Sequence, residues 1–456
     1  MSHIEETSPH SSERLSAVTQ IKEILESGIH QDIGSLIEDL RPEDLADILE
    51  SSPPTQRSEL WALFEEDYQS DIIQHVDEDI VQSLLGDKSG EEIATVLENV
   101  DDDNSADILQ QLPADLTQDA LDAMDAQDRA RVEKLLLYPE DTAGGMMDTD
   151  TISLRPDITL DVVLRYLRRH QELPPMTDSV YVVNTSDEFV GVLPLSTLLV
   201  SDPGLTVREM MVTETKALGA EMSEHDVAAT FERYDLVSAP VVDEHNKLLG
   251  RITIDDVVDV IIDEADHSIL GMAGLAEAED TFAPIWRTAR SRAIWLGANL
   301  ITAFIAASVI DLFKDTIEKV VALAVLMPIV ASMGGVAGSQ TLTLVIRNMV
   351  QDELFQNNLA WLTRREVAVG LINGCLWALI VAIAASLVFQ DTQLGLIIAA
   401  ALVINLFVAA LSGALLPSFL RSIGADPAIA GTVVLTTITD VVGFLSFLGL
   451  ATIFYA

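Results

Sequence analysis

Two rhythms of apolar and polar positions divide this chain near residue 280. Beyond it lie five apolar stretches, roughly 293–313, 320–346, 367–389, 394–417 and 428–454. Each is long enough to cross a hydrocarbon core of about 30 Å as a helix. Ahead of the break, residues 14–137 place apolar residues three and four apart in short runs, such as PEDLADILES (42–51), EEIATVLENV (91–100), NSADILQQL (104–112) and QDALDAMD (118–125). Pro53, Pro54, Gly86, Gly90 and Pro113 punctuate them, so the pattern predicts a stack of short amphipathic helix pairs with acid-rich outer faces.

Between these two regions the pattern repeats itself. YVVNTSDEFVGVLPLS (181–196) realigns on PVVDEHNKLLGRITID (240–255) at an offset of 59, which carries Gly191 onto Gly250 and Val182-Val183 onto Val241-Val242. Each copy reads as strand, turn, strand and helix, with another helix upstream, at 157–170 and at 224–235. A repeated unit of this kind resembles a tandem pair of CBS domains, and such pairs often bind adenine nucleotides in their central cleft. The resemblance carries a ribose-contacting pattern, Thr followed three residues on by Asp. Thr253 and Asp256 match it in the second copy, whereas the first has Pro194 and Thr197. One nucleotide site, for ATP, is therefore implied as an option that the residues leave open.

Charge sharpens the division. The chain has 72 acidic and 26 basic residues, and residues 281–456 hold nine of each, so the whole formal charge of −46 lies in residues 1–280. Such a front half does not suit nucleic acid or an anionic membrane surface. It suits cations, or simply a solvated, charged exterior. The first residues, MSHIEETSPHSSERLS, lack an apolar core, which predicts no cleaved secretory signal and a cytoplasmic front half. The single cysteine, Cys375, lies in an apolar run and reads as a packing residue.

Basic residues orient the spans. Arg287, Arg290, Arg292, Arg347, Arg364, Arg365 and Arg421 fall on one side, and Lys314 and Lys319 on the other. The heavier side is cytoplasmic. Five spans then place the C-terminus outside, in a multi-pass protein of the cell (inner) membrane.

Within the spans, Asp440 is the acidic residue deep in apolar sequence, while Glu366 sits at the start of the third stretch. Burying a carboxylate there costs at least about 2.5–3.5 kcal/mol, so it should face a wet pathway or a partner. Thr432, Thr436 and Asp440 fall four residues apart, giving one helical face hydroxyls that lead to the carboxylate. No Lys or Arg in the same apolar stretches offers a counter-ion, which favours a cation pathway over a protonated structural Asp. The second span carries Pro328, Gly334, Gly335 and Gly338, a pattern that reads as close helix packing or as irregular backbone against a wet cavity. Asn299, Asn373 and Asn405 read as interhelical hydrogen-bonding residues rather than ligands.

The soluble half offers two acidic groupings. Asp103 and Asp107 stand at i and i+4 on what the periodicity makes one exposed face, beside Asp101 and Asp102. Like charges so placed repel unless a cation bridges them, although one acidic cluster is usually only a solvated surface. Asp255, Asp256, Asp259, Asp263, Glu264 and Asp266 crowd the helix after the second repeat, at a spacing that suits hard divalent ions. There is no P-loop, nucleophile elbow or His–Cys constellation, so an enzyme is not expected.

The order of parts, with YPEDTAGGMM (138–147), MGGVAGSQTLTLVIR (333–347), LLPSFLRSIGADPA (415–428) and TTITDVVGF (436–444), resembles the MgtE family of Mg²⁺ channels along nearly the whole chain. The resemblance implies a homodimer in the lipid bilayer, with a pore on the two-fold axis between second and fifth spans and Asp440 as its selectivity residue. It implies regulatory Mg²⁺ ligands at Asp103 and Asp107, and at Asp235, Asp256, Asp259 and Glu264. The chain departs from the common family pattern at Val336, at Thr432-Val433, and at His225 and His267, where some relatives carry acids. The expected architecture is a multidomain membrane protein. An all-α N-domain covers 1–137, α/β tandem CBS domains 138–266, a connecting helix 267–292, and a five-helix transmembrane domain 293–456. The expected function is import of Mg²⁺ through a channel closed by cytosolic Mg²⁺; the alternative is a carrier coupled to H⁺ or Na⁺ through Asp440.

Overall fold

The computed structural model describes residues 40–170, 173–275, 282–351 and 355–455. The polar N-terminus and the helices expected for 14–39 lie outside the described residues, as does part of the connecting segment 267–292. The chain forms two compact units, one running up to Asp263 and the other starting at Glu264.

Among the described residues, the first unit begins with eight short helices: α1 (Pro42–Glu50), α2 (Pro54–Trp61), α3 (Glu66–Ile73), α4 (Glu78–Leu85), α5 (Gly90–Leu97), α6 (Asp102–Gln110), α7 (Ala114–Ala123) and α8 (Ala126–Leu135). Their ends are set locally. Ser89 and Glu92 form a reciprocal capping box at the start of α5, the Ser89 amide donating to Glu92 Oε2 at 2.9 Å. Asp125 accepts from the amides of Gln127 and Asp128 at the start of α8. Leu45, Ile48, Leu49, Ile72, Ile93 and Leu109 form the buried stripe that the periodicity predicts.

Two small sheets follow. In the first, β1 (Ser153–Leu154), β2 (Ser179–Val183) and β3 (Phe189–Pro194) lie in that order, with α9 (Leu160–Leu167), α10 (Leu195–Val200) and α11 (Val207–Met210) around them. The second repeats it with β4 (Leu218–Gly219), β5 (Ser238–Val242), β6 (Leu248–Thr253) and α12 (Glu224–Tyr234). The internal repeat is visible as register: Val182 pairs with Gly191 and Val241 with Gly250, each followed by a bulge. The short parallel strands β1 and β4 have no counterpart in the sequence reading, being two residues each. The core of the helical segment runs on into the second sheet, through Leu218, Val241 and Ile252.

The chain then enters α13 (Ile254–Met272), which ends before Gly274, a residue at φ +74°. Among its described residues the second unit holds five long helices, α14 (Ile285–Asp311), α16 (Ala322–Gln351), α17 (Phe355–Phe389), α18 (Thr392–Ser422) and α19 (Pro427–Tyr455), with a short α15 (Lys314–Lys319) between the first two. All five are long and apolar enough to cross a membrane. The first and third begin earlier than the apolar stretches do, because a helix continues past the hydrocarbon boundary when arginines such as Arg287 and Arg364 occupy its first turns.

Burial differs sharply among them. α18 is the central post, with Ile398, Ala401, Leu402, Asn405, Leu406 and Ala409 buried against α16, α17 and α19. On α14, by contrast, Ile294, Leu296 and Phe304 are each more than 60% exposed, an apolar surface that only lipid or another chain would cover. Cys375 is also exposed, on α17, and is not the packing residue that its apolar neighbours suggested. In a lipid-facing helix an apolar neighbourhood does not imply burial in protein.

Candidate functional site

In the second unit the site is built on α16 and α19, which run antiparallel. Gly338 meets Leu435, Gly431 meets Leu342, and Gly443 meets Val330, so Asp440 stands at the height of Met333 and Gly334. Asp440 is partly exposed, and among the described residues no hydrogen-bond donor or basic side chain pairs with its carboxylate. The Thr436 hydroxyl donates to the Thr432 carbonyl at 2.8 Å, the usual way to satisfy a hydroxyl inside an apolar helix, and leaves its oxygen able to accept or coordinate. At Gly335 a side chain would meet nothing within 4 Å, and Val336 is 56% exposed. Open space therefore lies beside α16 close to the level of Asp440.

The acid inventory of the spans is larger than the apolar pattern implies. Glu366 lies within α17 rather than at its start, is 8% exposed, accepts from the buried Thr341 hydroxyl, and pairs with Arg365 at 2.8 Å. It is a neutralised carboxylate, which Asp440 is not. Of the three intramembrane asparagines, Asn405 makes the expected interhelical bond, to the Val330 carbonyl at 2.8 Å; Asn299 and Asn373 are exposed. The carbonyl it satisfies is Val330's, not the one that Pro328 leaves without an amide partner four residues back.

Also within this unit, the last turns of α13 pack on the start of α19. His267 Nε2 lies 2.7 Å from Asp426 Oδ2. Asp426 in turn accepts the Ala428 amide through Oδ1 at 2.7 Å, capping α19. One turn beyond His267, Gly271 lies so near Ile429 that a Cβ there would stand 3.1 Å from it. Apart from its place ahead of Pro427 in the LLPSFLRSIGADPA motif, nothing in the sequence assigns Asp426 a role, because its partner is 159 residues away.

In the first unit, the structure corrects the exposed face expected for Asp103 and Asp107. Asp103 is buried at 7% exposure and Asp107 is partly buried, because this face of α6 turns inward; Oδ1 of each lacks a hydrogen-bond partner. Burial, and then Asp256, pushes Asp103 well above the ordinary carboxylate range. Burial, with Glu140, Asp256 and Glu224 nearby, pushes Asp107 up to about 8. Asp256 is raised to about 6, chiefly by burial, against the opposing effect of the Thr253 amide that donates to it at 3.2 Å. The structure thus brings together Asp103, Asp107 and Asp256, and adds Asp148, Glu140 and Glu224, which the sequence reading missed. Asp148 is pulled both ways, raised mainly by burial and lowered by Arg251, whose buried guanidinium lies 3.1 Å from it.

The remaining candidates lie apart. Asp235 is exposed and caps the end of α12 in the left-handed region, at φ 51°. Asp259 is raised by burial and by Asp255, while Glu264 belongs to the second unit. The Thr253 hydroxyl donates to Asp255 and sits 3.1 Å from Asp256, so the proposed ribose pair is engaged within the chain and shares Asp256 with the acid cluster. Among the described residues, no three His, Cys, Asp or Glu side chains stand close enough to hold a metal ion in this arrangement.

Comparison with known proteins matches the chain segment by segment. Residues 40–141 match the MgtE intracellular N domain, 143–202 and 207–263 the CBS domain, and 327–450 the MgtE divalent cation transporter. The magnesium transporter MgtE of Bacillus subtilis is 31% identical over 432 residues, 94% of this chain and 96% of that one. That of Thermus thermophilus is 33% identical over 337 residues, 72% and 74% of the two chains. The cytosolic domain of the Mg²⁺ channel MgtE, crystallised with ATP, is similar at a TM-score of 0.47 and 29% identity, over 53% of this chain and 99% of that one.

Proposed function

This chain belongs to the MgtE family of divalent cation transporters, a multi-pass membrane protein with an intracellular N domain, and we propose that it conducts Mg²⁺ past Asp440. Mg²⁺ is the substrate and not a resident cofactor. The observation that carries the reading is the carboxylate of Asp440, held mid-helix without a cationic partner among the described residues and level with the open side of Gly335.

Mg²⁺ dehydrates reluctantly and prefers octahedral oxygen. Two Asp440 carboxylates across a homodimer axis would hold it through its waters, tightly enough to select it and loosely enough to release it. The Thr432 and Thr436 face offers oxygens along the approach. The N-domain and CBS acids supply the control: a cation that draws Asp103, Asp107 and Asp256 closer than they stand in this arrangement offsets their repulsion and favours a more compact form. The pore would close in that form, so linkage requires the closed state to bind Mg²⁺ more tightly than the open one. α13, which starts beside this cluster at Ile254 and ends on α19, is suited to carry the signal.

The test is Mg²⁺ uptake into liposomes containing the full chain. Asp440→Ala abolishes uptake while the protein remains folded; wild-type uptake in that variant sinks the pore assignment. A carrier coupled to H⁺ or Na⁺ is the second reading, favoured by the protonatable nature of a lone intramembrane carboxylate. It predicts uptake that collapses with the ion gradient at fixed membrane potential, whereas a channel needs only the Mg²⁺ gradient and the potential.

A further inference from the structure

We propose that Asn405 is a positioning residue for the ion pathway: its buried amide is wedged between the two pathway helices and sets the height at which Asp440 stands. The proposal rests on the pore reading above and names a residue that acts on Asp440 through the helix packing, from α18. Three observations carry it. Asn405 is fully buried, and its Nδ2 donates to the Val330 carbonyl of α16 at 2.8 Å. On α16, a Cβ at Gly334 would lie 2.2 Å from that same Nδ2; on α19, a Cβ at Gly443 would lie 2.8 Å from it. Gly443 is three residues past Asp440, and Gly334 is level with it, so the amide sits within one helical turn of the carboxylate's height.

The chemistry explains the three residues together. In a regular helix the Val330 carbonyl accepts the amide of residue 334, and a carbonyl has a second lone pair free for another donor. Only glycines let a side-chain amide reach that lone pair between two helices at such short range. An apolar side chain of similar size would fill the space without fixing register, because dispersion tolerates sliding and a hydrogen bond does not. Oδ1 of Asn405 has no hydrogen-bond partner among the described residues. A buried amide that makes one hydrogen bond, with its oxygen unpaired, is costly to keep for packing alone, which is the reason to assign it a positioning role.

The experiment compares four full-length variants in liposomes, Asn405→Ala alone among them, each with its melting temperature recorded. Asn405→Leu removes the donor at similar volume. Asn405→Ala with Gly443→Ala removes the amide and fills part of its space from the other helix. Asp440→Ala controls for the pore reading. Asn405→Leu is expected to lower maximal Mg²⁺ flux by roughly tenfold to hundredfold, the scale of misplacing a reacting group by about 1 Å. It should also change the Mg²⁺-to-Co²⁺ flux ratio. The double variant should recover melting temperature relative to Asn405→Ala alone but not flux or ratio. Wild-type flux and ratio in Asn405→Leu overturn the proposal, as does full recovery of flux in the double variant, which stands in should the leucine variant not fold. If Asp440→Ala transports normally, the pore reading fails first; if it is inactive while Asn405 variants behave as wild type, only the present proposal fails.

Discussion

The imidazole of His267 and the carboxylate of Asp426 lie 2.7 Å apart, joining the last turns of α13 to the first residue ahead of α19. The same carboxylate caps α19 through the Ala428 amide, so one side chain both starts the helix that carries Asp440 and receives the helix that leaves the CBS segment. The two roles can be separated. Asp426→Ala should cost about 0.5–2 kcal/mol of stability through the lost cap. His267→Ala should cost less, since it leaves the cap in place, but should raise the Mg²⁺ concentration needed to close the pore. Melting curves measure the first effect and Mg²⁺ inhibition of uptake the second. Equal melting of the two variants contradicts the division of roles.

The acid cluster makes the metal-free first unit sensitive to pH in a defined direction. Asp107 is raised to about 8 and Asp256 to about 6, each chiefly by burial, from an ordinary carboxylate value of 3.8. A group whose folded-state value is raised holds its proton longer in the folded form. Its contribution is complete below the unfolded value and is lost as pH rises through the folded one. In EDTA the compact form should therefore loosen progressively as pH rises from about 4 to about 8, read as growing protease sensitivity of the full chain. Added Mg²⁺ should reverse it by replacing the proton. Asp107→Asn should flatten the pH dependence and weaken the response to Mg²⁺ together. A loosening on acidification instead would show that the burial of these acids is not what governs the unit.

Glycines of the second unit divide by what surrounds them. At Gly413 a Cβ would stand 2.7 Å from the Gly338 carbonyl oxygen and 3.0 Å from Thr341, whereas at Gly335 it would meet nothing within 4 Å. Gly413→Ala should destabilise the protein by about 1–3 kcal/mol, the usual cost of overpacking. Gly335→Ala should leave melting unchanged and, if the open space at that level of α16 is part of the route, lower Mg²⁺ flux, because its methyl projects into that space. Unchanged flux in Gly335→Ala would show that this space is not part of the route.

Much of the architecture was legible in the sequence, and for local reasons. Spans are written as unbroken apolar runs because lipid offers the backbone no partner, and the runs from Ala322 to Tyr455 carry that signature residue by residue. The repeat at 59 residues returned as matched pairing of Val182 with Gly191 and Val241 with Gly250, since strand register follows side-chain alternation. Asp440 was legible for the same reason: one carboxylate in an apolar helix stands out without any knowledge of its neighbours.

What the sequence determined by itself was the order of segments, the membrane spans and the lone acid in the last of them, all properties of contiguous residues. The tertiary structure alone decided that Asp103 is buried where helical periodicity made it exposed, that Asp148, Glu140 and Glu224 join it, and that Asn405 faces two glycines while Asn299 and Asn373 do not. It also decided that Asp426 meets His267. Each of these depends on which faces of distant segments meet, and burial is what turns an ordinary carboxylate or amide into a strongly perturbed one. Periodicity reports the face a residue occupies on its own helix, but not what is packed against that face.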